Sequence, residues 1–175
     1  MTKQDIETIL DNKHIELFEW VNKQSNQSWI QGPKEKWTVG QHILHLLDVI
    51  QLLNKALGYP KFLLRYKFGK SNRPSRSYDA LVKRYNEKLA LHQEKAKAFN
   101  KDLRIPKIAE RQKLLAALQF ENKKLQARVH PWKNKDLDTL LIPHPLMGKM
   151  TVREIIMWAS HHTAHHTTIL KELYS

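Results

Sequence analysis

Residues 151–173, TVREIIMWASHHTAHHTTILKEL, decide the fold of this chain. Thr151 followed by Glu154 has the spacing of a capping box, which predicts that a helix begins there. Apolar residues then recur every three or four positions and mark one buried helix face; they are Val152, Ile155, Ile156, Ala159, Ile169, Leu170 and Leu173. We therefore expect a long amphipathic helix over these residues.

Two histidines fall on the buried face of this helix. His162 and His166 are four residues apart, so their side chains should lie one above the other. His161 and His165 follow about 100° further round and should lie nearer the surface. Two imidazoles one turn apart form half of a metal site, because a divalent ion binds such nitrogens at about 2.0–2.1 Å. A surface cluster or hydrogen-bonded core histidines remain alternatives, and a metal site needs a third ligand from elsewhere.

The composition indicates a single helical domain covering residues 1–175. Hydrophobic residues make up 41% of the chain, and no apolar run approaches the roughly 20 residues that a membrane span requires. Five glycines and the lack of sustained apolar–polar alternation favour an all-α fold. The first residues do not resemble a signal peptide, so we expect a cytoplasmic protein. Because the chain has no cysteine, disulfides, thiolate ligands and a cysteine nucleophile are excluded.

Positive charge is concentrated in residues 61–135. This segment holds 21 of the 30 Lys and Arg residues and 6 of the 17 Asp and Glu, a net charge of +15, whereas the rest carries −2. Such asymmetry occurs in proteins that bind nucleic acid or another polyanion. The basic residues are nevertheless spread along two helical stretches without any zinc-finger, RNP or basic-zipper pattern. We interpret them as a solvated face and do not expect nucleic acid as a partner, although a nucleic-acid-binding bundle remains an alternative.

Four further helices are predicted from apolar periodicity, over 3–23, 38–57, from about Ser77, and over 107–127. Residues 26–36 are expected to form a loop and the long stretch 61–75 an irregular crossover or flap. The third helix should bury Leu81, Tyr85, Leu89, Ala96 and Phe99, with His92 pointing inward or along the edge as a packed residue. The fourth should bury Ile108, Leu114, Leu115, Leu118 and Leu125.

The second helix carries two candidate ligands, His42 and His45. Thr38 is its expected N-cap, and apolar residues occupy most of its sides, as in a helix deep inside a bundle. Periodicity favours His42 slightly, but the apolar stripe is too broad to decide between the two. Asp48 follows His45 by about one turn and could orient an imidazole or act as a base, or be a solvated carboxylate.

Two segments of the chain resemble the DinB/YfiT-like superfamily. Residues 37–46, WTVGQHILHL, are similar to the helix-opening motif of that family, in which a ligand histidine follows the tryptophan by eight residues; here it is His45. Residues 144–151, HPLMGKMT, are similar to the approach to the family's last helix. That helix then carries His-x-x-x-His, which matches His162 and His166.

The resemblance implies a four-helix bundle with an additional short or N-terminal helix. It also implies that His45, rather than His42, joins His162 and His166 in binding one divalent metal ion. Three histidines with an open coordination position are typical of a catalytic metal, whose charge lowers the pKa of a bound water or thiol. The family includes thiol-dependent transferases, so a low-molecular-weight thiol is an expected cosubstrate.

We therefore expect a divalent-metal-dependent enzyme that acts on a small molecule, by hydrolysis or by thiol transfer, with Zn, Ni or Fe as the metal. Asp48 is the candidate catalytic residue. His144, His161 and His165 could surround the opening of the site, but we favour a surface role for each. The basic segment could attract an anionic substrate. A homodimer is plausible, a membrane partner is not expected, and a non-catalytic, stress-related metal-binding module remains a second alternative.

Overall fold

Four long helices form the framework of the structure, a computed structural model that describes residues 1–94 and 102–174. They are α1 (Lys3–Asn22), α3 (Val39–Leu57), α6 (Arg111–Val129) and α8 (Val152–Leu173). Shorter elements join them: α2 (Asn26–Ile30), α4 (Lys61–Phe68), α5 (Tyr78–Leu91), a 3-10 turn (Ile108–Glu110), α7 (Asn134–Thr139), and strands β1 (Leu141–His144) and β2 (Gly148–Thr151). The predicted all-α class is confirmed.

The long helices pack in two pairs. Helix α1 lies along α8 and α3 lies along α6, and the pairs meet across a shared apolar core. Capping boxes begin three of the four, at Thr2, Thr38 and Thr151, where each hydroxyl accepts the amide of the third helical residue. Helix α5 packs on the outside of α8. Over the described residues, no helix combines the length and apolarity needed to cross a bilayer.

Two segments predicted to be irregular contain helices. Within 26–36, Ser25 caps the short helix α2, which places Trp29 in the core with no exposed surface. Gly40 makes this possible, because a Cβ there would lie 2.6 Å from the Trp29 carbonyl oxygen. Within 61–75, α4 covers the first eight residues and buries only Leu64, so its apolar periodicity is weak. The remainder, from Gly69 onward, is irregular as predicted.

Two core predictions on the third and fourth helices are wrong. His92 is exposed, because α5 ends at Leu91 and His92 forms its C-cap. Ile108 is 40% exposed, because it belongs to the 3-10 turn before α6 and does not continue the phase of that helix. The predicted core residues Ala96 and Phe99 lie outside the described residues.

An antiparallel hairpin leads into α8. Strand β1 pairs with β2 from Leu141 opposite Thr151 to His144 opposite Gly148. The His144 Nδ1 atom accepts the amides of Leu146 and Met147, both at 3.1 Å, and so fixes the turn. Gly148 follows with φ 72°, a conformation that residues with a Cβ rarely adopt. These contacts explain why a histidine and a glycine occur four residues apart before the last helix.

Candidate metal centre

Helices α3 and α8 bring His45, His162 and His166 together, three histidines that we call the triad. All three are buried, with 8%, 5% and 7% of their surface exposed. The His162 Nε2 atom lies 3.2 Å from His45 Nε2 and 3.1 Å from His166 Nε2. One ligand nitrogen from each residue lies within 4.8 Å of the other two, so the triad could hold a metal ion.

These separations match a common metal ligand set. Two nitrogens bound at 2.0–2.1 Å to one ion lie about 2.9 Å apart at a right angle and about 3.3 Å apart at the tetrahedral angle. The measured 3.1 and 3.2 Å fall between these values. Two of the three nitrogen separations are therefore close to the spacing that a bound ion imposes. Neutral nitrogen donors fit zinc, nickel or iron.

His42 belongs to the same cluster through its contact with His166. The two Nδ1 atoms are 2.8 Å apart, so one imidazole donates a hydrogen bond to the other. If His166 offers its Nε2 lone pair to a metal, its Nδ1 carries the proton and His42 must accept it. The proton of His42 then lies on Nε2, a buried atom without a hydrogen-bond partner among the described residues. His42 and His45, the two candidates that periodicity did not separate, thus both contact the histidines of α8, in different positions.

Two tryptophans enclose the histidine cluster. The Trp158 ring stacks on His162, with centroids 4.6 Å apart and planes 22° apart. The Trp37 ring lies parallel to His166 at 6.1 Å and contacts His45 at 5.2 Å. Packing on both sides restricts the imidazole orientations. Trp37 belongs to the motif WTVGQHILHL, whereas no sequence pattern indicates a role for Trp158, although it precedes His162 by one helical turn.

Burial keeps these imidazoles neutral near pH 7. It lowers the pKa of His162 and of His166 well below the ordinary value of 6.5, and neighbouring histidines lower it further. Burial, with His45 and His165 nearby, lowers the pKa of His42 to about 3. A metal ion that binds the neutral rings of His162 and His166 would therefore displace few protons from them to solvent at neutral pH.

The triad lines a cavity of about 430 Å³. Apolar side chains form most of the wall, among them Val49, Leu53, Phe68, Leu89, Ile142 and Trp158. Leu52 and Tyr59 line the cavity while remaining 58% and 42% exposed, so the cavity reaches the surface beside them. The described part of the wall contains no Asp, Glu, Lys or Arg.

The other predicted site residues lie at different distances from this cavity. His144 and His165 both line it; the favoured surface role is wrong for His144, which is buried and holds the hairpin turn. His161 is half-buried beside Tyr85, with ring centroids 5.6 Å apart, and does not line the cavity. Asp48 is exposed on α3, outside the described cavity wall.

Several basic residues of the 61–135 segment have structural partners. Arg73 and Arg76 both pair with the buried Glu154, at 2.7 and 3.1 Å. Four others pair with carboxylates elsewhere, through Lys61–Asp136, Arg104–Glu110, Lys123–Asp11 and Lys124–Glu121. Part of the excess charge therefore joins elements of the fold.

Comparison with protein families gives one result that covers most of the chain. The model of the DinB superfamily matches residues 15–170, a range that contains all three triad histidines. No curated protein and no solved structure matches the chain.

Proposed function

The chain belongs to the DinB superfamily, and on this premise we propose that it is a divalent-metal-dependent enzyme acting on a small molecule, by hydrolysis or by thiol transfer. The observation that carries the proposal is the convergence of three buried Nε2 atoms in the wall of a cavity open to solvent. A divalent ion held there would supply a Lewis acid that lowers the pKa of a water or thiol. Zinc, nickel or iron would suit the donors.

The chain divides the work of holding the ion between two helices. His162 and His166 occupy successive turns of α8, and His45 approaches from α3. Because packing of α3 against α8 sets the distance between them, the ligands are positioned before an ion binds. His42 would keep the His166 proton on Nδ1, which leaves Nε2 free for coordination.

The cavity walls would bind the substrate and exclude water. Apolar side chains around the triad lower the local dielectric, which strengthens the interaction between charges developing on the substrate and the fixed groups of the site. A low-molecular-weight thiol could enter as cosubstrate, because the chain has no cysteine of its own.

Two residues of the wall could handle protons. Burial raises the pKa of the Tyr85 hydroxyl to about 12, so Tyr85 stays protonated and can donate a hydrogen bond to a substrate oxygen. Burial lowers the pKa of His165 below 6.5, and its neutral imidazole can accept a proton. Asp48, the catalytic candidate from the sequence, would have to act from the surface of α3.

The test compares activity before and after removal of the metal. Untagged protein is stripped with a chelator, reloaded with zinc, nickel or iron, and assayed on ester and amide panels and on conjugation of small thiols to electrophiles. We expect activity to disappear on stripping and to return with one ion per chain. Activity that survives stripping would contradict the proposal, and stoichiometric metal without turnover would favour a non-catalytic metal-binding module.

Asp48→Asn and Tyr85→Phe are assayed in parallel with the native protein. If Asp48 acts as a catalytic base, Asp48→Asn should lower kcat at least tenfold with metal content unchanged. Unchanged kcat would identify Asp48 as a solvated carboxylate. Retention on heparin that depends on salt and ignores chelation would instead favour the nucleic-acid-binding alternative.

A further inference from the structure

We infer that the cavity selects substrates that are apolar and uncharged, apart from the one group that reacts beside the triad. This inference rests on the proposed function and names its substrate class. It departs from the alternative that the basic segment 61–135 attracts an anionic substrate. The cavity wall, rather than the net charge of the chain, determines which ligand can enter.

The described wall offers no lysine or arginine to pair with an anionic ligand. No Asp or Glu lines it either, and its polar side chains are two tyrosines, the Trp158 indole and five histidines, three of which form the triad. Away from the triad, a sulfonate or carboxylate inside this wall would lose its hydration without gaining a Lys or Arg partner from the wall.

The wall is well suited to an apolar ligand. Val49 and Leu53 follow His45 on α3 by one and two turns, and Ile142 and Trp158 lie on the hairpin and α8. A hydrocarbon group entering between them would leave water on several sides at once. Leu52, 58% exposed beside the opening, extends the apolar surface outward.

Some basic side chains close in sequence to the cavity wall have other contacts. Lys149 donates to the Phe68 carbonyl oxygen at 2.9 Å, and Lys61 pairs with Asp136 at 2.7 Å. Arg73 and Arg76 are held by Glu154. These groups contribute to the charge of the chain but do not line the described wall of the cavity.

Two fluorescent dyes test the inference directly. N-phenyl-1-naphthylamine is neutral, and 8-anilinonaphthalene-1-sulfonate has the same ring system with one sulfonate added. Each is titrated into the full-length protein with one equivalent of zinc, and again after chelation. In the metal-free protein, where no ion can pair with the sulfonate, we expect the neutral dye to bind one site with a Kd at least tenfold below that of the sulfonate. A smaller ratio with zinc bound reports contact of the sulfonate with the ion rather than with the wall.

Substitutions on α3 locate the dye. Val49→Lys places an ammonium in the wall one turn from His45, and should bring the two Kd values within about threefold of each other by tightening sulfonate binding. Gln51→Lys adds the same charge on the exposed side of α3 and should leave the ratio unchanged. If Val49→Lys fails to fold, Leu52→Lys introduces the charge at the exposed lip.

A cavity-filling variant separates binding in the cavity from binding on the basic surface. Val49→Trp should abolish binding of the neutral dye, whereas sulfonate binding that survives this change lies outside the cavity and agrees with the inference. The inference would be overturned if the sulfonate bound metal-free protein as tightly as the neutral dye and if Val49→Trp abolished that sulfonate binding. Failure to bind zinc would overturn the proposed function alone, because the order of the two dyes in metal-free protein still decides the character of the wall.

Discussion

At the scale of single residues, the contact between His42 and His166 determines what the triad can do. An imidazole offers a metal one lone pair only if its other nitrogen holds the proton. The 2.8 Å separation of the two Nδ1 atoms provides an acceptor for that proton. If His166 binds the ion through Nε2, His42 would orient the His166 ring and fix its proton on Nδ1, as a positioning residue.

Replacing His42 tests this role. His42→Phe should lower zinc affinity about 10- to 100-fold while one ion per chain still binds at saturation. His42→Asn keeps an acceptor in reach and should recover part of the loss. Competition with a chromophoric chelator measures both. His161→Phe, at a half-buried ring outside the cavity wall, is the control; zinc affinity that is equal in His42→Phe and native protein would disprove the role.

At the scale of elements, Glu154 connects the irregular segment after α4 to the beginning of α8. Its side chain is fully buried, accepts both guanidinium groups of Arg73 and Arg76, and closes the capping box with Thr151. Burial raises the pKa of this carboxyl, but the hydrogen bonds from Arg73 and the Arg76 and Thr151 amides outweigh it, so the pKa lies below 4.5. The carboxylate thus stabilises the helix that carries two triad histidines.

Glu154→Gln should lower the free energy of unfolding by about 2–4 kcal/mol at pH 7, because it leaves two arginines without their anion. The difference from native protein should narrow as the pH falls below about 4.5, because the Glu154 carboxyl then takes up a proton in the unfolded chain, and should vanish below the lower pKa of the folded state. Urea unfolding measures this. The control is Glu16→Gln, which removes the carboxylate partner of Lys13 and Lys171. Because the Glu16 side chain is 40% exposed, this change should cost less than about 1 kcal/mol. Equal losses in the two variants would contradict the stabilising role of Glu154.

The elements that the sequence predicts well are those with a long apolar stripe and a capping residue. Helix α8 begins at Thr151 as predicted, and its stripe correctly places His162 and His166 inside. Helix α2 was missed because its one buried residue, Trp29, depends on the absence of a side chain at Gly40, a contact between elements. Apolar periodicity could not separate His42 from His45 because both side chains face the core. Their different contacts depend on the position of α8.

At the scale of the whole molecule, buried neutral histidines make stability depend on pH. Burial lowers the pKa of His14 to about 4, of His42 to about 3 and of His144 to about 4, from 6.5. As the pH falls below 6.5, these three histidines bind protons in the unfolded chain but stay neutral in the folded chain. Stability is therefore full above 6.5 and is lost down to about 4.

Between pH 7 and 5.5, metal-free protein should lose roughly 3–4 kcal/mol of unfolding free energy from His14, His42 and His144, with a further loss from the triad. Urea titrations at several pH values measure this. His14 lies outside the triad, and its Nδ1 atom hydrogen-bonds to the Leu10 carbonyl oxygen. His14→Leu should therefore reduce the loss of unfolding free energy by roughly 1 kcal/mol. An unfolding free energy that stays constant over this range would show that the histidines are protonated in the folded state.

Elemental analysis of untagged protein is the decisive measurement of whether three imidazoles from two helices bind one ion. Native protein, His161→Ala and His165→Ala should each contain close to one divalent ion per chain, whereas His45→Ala, His162→Ala and His166→Ala should each contain far less. Native protein without metal, or loss of metal in the first two variants but not in the other three, would contradict the account.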